Sequence, residues 1–182
     1  MSNSYSTQNN LLLDTLISFY KKDENIDKML SIINGQSMIS LRLVDWFVTN
    51  YAKKFFVIYE LGDSRFKVYD DYKLKLRAYS KKRFDPFCRW DRITIPYKEN
   101  SMIQTTIGQL NFFKWALENK IIDYITQHYE TIEEDMNTRN SSSKKNKPEG
   151  IHNKTRKKRE ELSISATKSI KKEQVEIVVE FN

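Results

Sequence analysis

RITIPYKENSMIQTTIGQLNFFKWALENKIIDYITQHYETI, residues 92–132, holds in one stretch both kinds of secondary structure that this chain must combine. RITIPY and MIQTT are strand-prone runs on either side of the polar turn Lys98-Glu99-Asn100-Ser101, which reads as a β-hairpin. Pro96 has no N–H to give to a ladder, so its strand belongs at a sheet edge. The period then changes. Thr106-Ile107-Gly108-Gln109 has the form of a capping box, a hydroxyl at the N-cap and an amide three residues later. Behind it Leu110, Phe113, Ala116 and Leu117 recur at helical spacing. After Glu118-Asn119-Lys120 a further helix is predicted to bury Ile121, Ile122, Ile125, Tyr129 and Ile132. A hairpin followed directly by helices argues for an α+β fold.

Toward the N-terminus, FFVIYE and RFKVY flank Gly62-Asp63-Ser64 and predict another hairpin. Before it, Ser40 can cap a helix, SLRLVDWFVTNYAKK (residues 40–54), with Leu41, Val44, Val48 and Tyr51 on one face. Lys53 and Lys54 sit at its negative end. Leu12, Leu16, Phe19 and Tyr20, then Ile26, Met29, Leu30 and Ile33, predict a helical pair closed by Asn34-Gly35. Residues 1–10 are polar and predicted to be disordered. Between hairpins, Tyr72, Leu76 and Tyr79 are spaced for a helix, while Leu74, Leu76 and Ala78 alternate as in a strand. Periodicity leaves both open there, and Asp85-Pro86 ends whichever forms.

Toward the C-terminus, residues 138–172 carry 12 of the 31 Lys and Arg against Glu149, Glu160 and Glu161, a surplus of nine. The last ten residues carry Glu173, Glu176 and Glu180, so residues 1–137 stand at only +1 of the net +7. The basic segment has few apolar residues and reads as a flexible loop. It does not trail away, because Val175, Ile177, Val179 and Phe181 alternate with Glu176, Val178 and Glu180 as in a half-buried strand. The expected organisation is a polar lead over 1–10, an α+β domain over 11–137, a basic loop over 138–172 and a returning strand over 173–182. The sheet is expected to be small, mixed or antiparallel, built from two hairpins and that last strand, with five to six helices packed on it.

Composition narrows the function. With 39% hydrophobic and 13% aromatic residues in 182, one real core is available. No apolar run approaches the roughly 20 residues of a membrane span, and MSNSYSTQNN lacks the basic and apolar regions of a secretory signal, so an intracellular protein without membrane contact is expected. Cys88 stands alone, and with His128 and His152 it supplies too few soft ligands for a zinc site. Its cationic neighbours would favour a thiolate, but no histidine partner is evident. Gly35, Gly62, Gly108 and Gly150 are scattered singly, so neither a P-loop nor a dinucleotide fingerprint is present. Asp70, Asp71, Asp85 and Asp91 form no ligand motif. No enzyme, cofactor or metal is expected.

What remains is charge beside aromatic rings. From Lys73 to Arg92 the chain interleaves Lys73, Lys75, Arg77, Lys81, Lys82, Arg83, Arg89 and Arg92 with Tyr79, Phe84, Phe87 and Trp90. Cations pair with phosphates and flat rings take unpaired bases, so the expected ligand is single-stranded nucleic acid, RNA or DNA. The plain alternative places these rings in the core and the cations in solvent. Lys154, Arg156, Lys157, Lys158 and Arg159 of the basic loop add sequence-independent phosphate contacts. A helix-turn-helix over residues 106–132 is disfavoured, since Asp123, Glu130, Glu133, Glu134 and Asp135 would repel phosphates.

SLRLVDWFVTNYAKK (40–54), YSKKRFDPFCR (79–89), TTIGQLNFFKWALENKIIDYI (105–125), DMN (135–137) and TRKKREELSISATKSI (155–170) resemble blocks of an uncharacterised protein family of nucleocytoplasmic large DNA viruses, mimivirus-like giant viruses in particular. The resemblance covers roughly residues 40–181 and implies a setting, the host-cytoplasmic viral factory or the virion, without an activity. The reading is a non-enzymatic nucleic-acid-binding protein. Its alternative is a virion or assembly protein whose partners are other viral proteins.

Overall fold

The structure, a computed structural model, describes residues 3–22, 24–89, 92–98, 101–145 and 171–174, with side chains over 10–22, 24–89, 92–98 and 101–140. The fold is α+β. Helices α1 (Asn3–Tyr20) and α2 (Asn25–Ile33) lead into a long helix made of α3 (Leu41–Trp46), a π-helical turn (Phe47–Tyr51) and α4 (Ala52–Phe55). Strands β1 (Ile58–Leu61) and β2 (Ser64–Lys67) precede α5 (Val68–Phe84). Strands β3 (Arg92–Tyr97) and β4 (Ser101–Thr106) then run into α6 (Ile107–Glu118), α7 (Ile121–Gln127) and α8 (Tyr129–Lys145), and β5 (Lys171–Gln174) closes the described chain.

The strands form two antiparallel sheets rather than one. β1 pairs with β2, and β3, β4 and β5 make a separate sheet in that order. Leu61 faces Ser64, which leaves Gly62 and Asp63 as a two-residue turn, and Gly62 takes the positive φ of 61° that such a turn demands at its first position. β3 lies at the edge of its sheet, the place expected for the strand that carries Pro96. β5 returns to β4, with Gln104 opposite Lys171 and Ser101 opposite Gln174. Of the strand expected over 173–182, residues 173 and 174 fall in β5, and 175–182 lie outside the described residues.

Several expected boundaries move. α1 begins at Asn3, not at Leu11 after a disordered lead. Leu16 and Tyr20 anchor the helix in the core, and each added residue then gains a hydrogen bond without a new nucleation cost. Phe55 and Phe56 are not strand: Phe56 takes a left-handed C-cap at φ 49°, and the Val57 N–H donates to Ala52 O at 3.2 Å. Val68 and Tyr69 open α5 instead of extending β2, because the helix buries Val68 and Tyr72 one turn apart. That settles the open stretch as helix up to a kink at Ser80, with Asp70 and Asp71 in the first turn, at the favourable end of the macrodipole, and Lys81, Lys82 and Arg83 in a last turn beyond the kink. The helix expected over 120–132 divides at His128 into α7 and α8. α8 also carries residues 138–145 of the expected loop, where Arg139 reaches back to Asp135 at 3.3 Å and lies 5.4 Å over the Trp46 ring.

Both expected caps form. Ser40 Oγ accepts from the Leu43 N–H at 3.1 Å and Thr106 Oγ1 from the Gln109 N–H at 3.2 Å. The Gln109 side chain is held as well, its Oε1 accepting from Thr105 Oγ1 at 3.0 Å. One core joins these elements, with Phe47, Phe84, Phe112, Phe113, Leu110 and Ile103 fully enclosed. Each such side chain stabilises by about 1.5–3 kcal/mol relative to exposure. Tyr20 donates across it to Leu110 O at 2.7 Å, binding α1 to α6.

Candidate nucleic-acid interface

The far end of α5 is fixed from beneath by α6. Gly108 lies against it so closely that a Cβ would stand 2.8 Å from Asp85 O and 3.1 Å from Lys82 O. Asn111 Nδ2 donates to Arg83 O at 2.9 Å, satisfying a carbonyl left without a helical partner. Phe84 is wholly buried, edge-on to Phe112 and Trp115 at 5.8 and 5.5 Å. At the other end the Trp115 Nε1–H donates to Asp71 Oδ1 at 2.6 Å. α5 is two helical segments that meet at a kink at Ser80, and each segment is held to α6 by one of these contacts.

The outer face of α5 is cationic. Lys73, Arg77, Lys81 and Lys82 are exposed, as is Arg89 after the helix, while Lys75 and Arg83 are half-buried. Among the described residues none of these seven meets a carboxylate within ion-pair distance. Ion pairs lie elsewhere, among them Lys54 and Arg139 on Asp135, Lys98 on Asp27 and Lys114 on Glu118. Lys73 and Arg77 are one helical turn apart, a like-charge spacing that costs a helix about 0.2–0.5 kcal/mol. Exposed Lys53 extends the surface past the start of α5, its Nζ 5.7 Å over the Tyr69 ring, and exposed Lys67 precedes the first turn. Arg92, also exposed, donates to Gln104 Oε1 at 2.9 Å across the hairpin.

The rings part company with the cations. Phe84 belongs to the core, which overturns its place among base-stacking residues: a ring with no exposed surface offers no face to a base. Tyr79 is half-buried and stacks inward on Phe84, centroids 6.0 Å apart and planes 19° from parallel. Phe87 is half-buried against the core. Trp90 lies outside the described residues, as do Lys154, Arg156, Lys157, Lys158 and Arg159. The structure therefore brings the described cations of the expected site together on and beside α5 and turns its described rings inward. Past the end of α5, Asp85 Oδ1 accepts from the Phe87 N–H at 2.9 Å.

Three residues that matter here gave little warning in the sequence. Gly108 and Asn111 hold the basic end of α5, and only a lone glycine in a helix-forming run hinted at close approach. Ser80 leaves helical geometry, with φ 62° and ψ 167°, in the middle of the basic run. Among the described residues no three His, Cys, Asp or Glu side chains gather as a metal ion would require, and no helix is long and apolar enough to cross a membrane.

The model of a family described as a family of unknown function (DUF7197) matches residues 3–182. Uncharacterized protein L507 of Acanthamoeba polyphaga mimivirus is 42% identical over 165 residues, 81% of this chain and 62% of that protein. The chain thus spans somewhat under two thirds of the length of this curated relative. No solved structure matches.

Proposed function

The chain belongs to this uncharacterised giant-virus family of unknown function, and on that premise we propose that it binds nucleic acid without catalysing a reaction, by gripping the phosphate backbone with the outer face of α5. The observation that carries the reading is the set Lys73 and Arg77 before the Ser80 kink of α5 and Lys81 and Lys82 after it, exposed, on segments each tied to α6, and without a carboxylate partner among the described residues. Such a set repels itself, and a polyanion relieves the repulsion while releasing condensed counterions. Lys53, Lys67 and Arg89 widen the track, and the loop cations Lys154, Arg156, Lys157, Lys158 and Arg159 add contacts that need no fixed geometry. The inward rings favour backbone grip over base stacking, so the binding is insensitive to sequence and takes single strands and duplex alike. The setting is the viral factory in the host cytoplasm or the virion, where viral DNA and RNA are at hand.

Anisotropy titrations of labelled 20-nucleotide single-stranded RNA, single-stranded DNA and duplex DNA at physiological salt test this. The reading expects all three to bind with dissociation constants on the order of 10⁻⁴–10⁻⁶ M and no preference among sequences. Absence of binding to any of them would overturn it.

A second reading, an assembly protein acting through protein contacts, draws on a different surface. Phe55, Phe56 and Ile58 are 49%, 81% and 49% exposed within four consecutive residues, more apolar surface than a loop needs to show. If it is correct, Phe56→Ser should reduce co-purification of viral proteins while leaving nucleic-acid binding intact.

A further inference from the structure

We propose that Ser80 is a phosphorylation site that switches the basic face of α5, an inference that rests on the nucleic-acid reading for its consequence but not for its chemistry. Ser80 is exposed, and its hydroxyl makes no hydrogen bond to a described residue. Its φ of 62° and ψ of 167° fall where residues other than glycine are strained. The strain is held in place from both sides, by Tyr79 stacked on buried Phe84 and by Arg83 bound to Asn111. A serine must leave helical geometry to enter the groove of a protein kinase, and Ser80 has already left it. Arg77 three residues before and Lys81, Lys82 and Arg83 directly after make a charge pattern that a kinase with an acidic groove selects.

In the transfer, Ser80 Oγ bonds to the γ-phosphorus of ATP as the β–γ bridging P–O bond breaks. ADP departs, and the hydroxyl proton passes to the kinase's catalytic carboxylate. The phosphoserine carries about −1.5 to −2 charges at pH 7 in the centre of the cationic row. It pairs with the neighbouring cations, cancels roughly two of them and repels any phosphate backbone that approaches.

The test treats the full-length protein with the catalytic subunit of cyclic-AMP-dependent protein kinase and ATP, maps phosphate by mass spectrometry, and titrates single-stranded RNA before and after. A synthetic peptide of residues 74–84 reports that the kinase is active, and Ser80→Ala removes the acceptor. The proposal expects phosphate on Ser80 of the folded protein and RNA binding weakened on the order of tenfold, an effect absent from Ser80→Ala. A phosphorylated peptide beside a protein unmodified at Ser80 would overturn the site. Phosphate on Ser80 with unchanged RNA affinity would overturn the switch. Failure of the untreated protein to bind RNA would count against the nucleic-acid reading and the switch, while the mass map would still decide the site.

Discussion

Gly108 and Asp85 stand so close that a Cβ on Gly108 would sit 2.8 Å from the Asp85 carbonyl oxygen, nearer than such atoms come in folded proteins. The carbonyl is backbone and cannot rotate away as a long side chain would. The start of α6 is thereby set directly under the end of α5, and the basic face takes its position from that contact.

Gly108→Ala should therefore destabilise the protein. Alanine in a helix ordinarily gains up to about 1 kcal/mol over glycine, but steric overlap with packed backbone costs about 1–3 kcal/mol, and the second effect should win. Urea denaturation should show a lower midpoint. A midpoint at or above the wild-type value would mean that α5 and α6 do not meet as described.

At Ser80 the sign reverses. Glycine adopts φ 62° freely, and a non-glycine residue held in this region costs about 1–3 kcal/mol, of which glycine's greater freedom in the unfolded chain returns about 0.5–1 kcal/mol. Ser80→Gly should raise the midpoint by an amount worth about 1 kcal/mol. A loss of stability would show that the kink is not strained.

Asp135 makes the pairing of α8 with the long helix depend on pH. Burial pulls its carboxyl upward, but hydrogen bonds from Lys54 and Trp46 and the charges of Arg139 and Lys54 outweigh burial and hold it below the ordinary carboxylate range. A pKa lower in the folded than in the unfolded chain contributes stability above the unfolded value, near 3.9, and that contribution is lost as pH falls through the folded value. Thermal melts from pH 6 down to pH 2 should fall less steeply for Asp135→Asn than for wild type. Parallel curves would remove Asp135 from the acid response.

The sequence made the hairpins and capped helices readable because their signals are local. Ser40 and Thr106 cap within three residues, and Gly62 marks a turn closed by Leu61 and Ser64. The division into two sheets was not readable, because nothing local says which hairpin the returning strand joins. The cations of α5 could be read as exposed from their charge alone. The fate of Phe84 could not, since a ring beside lysines suits a base or a core equally, and Phe112 and Trp115, about thirty residues away in the chain, decide it. Ser80 carried no signal, because its conformation is imposed by packing on either side.

The central claim is that the outer face of α5 grips phosphate, and the salt dependence of binding tests it most directly. Replacing Lys73, Arg77, Lys81 and Lys82 together by Gln leaves the core untouched, which an unchanged circular dichroism melt would verify. Each lost phosphate contact lowers the slope of log Kobs against log salt by about 0.7–0.9, so the variant should bind single-stranded RNA more weakly with a slope shallower by about 3. The same slope and the same affinity as wild type would contradict the account.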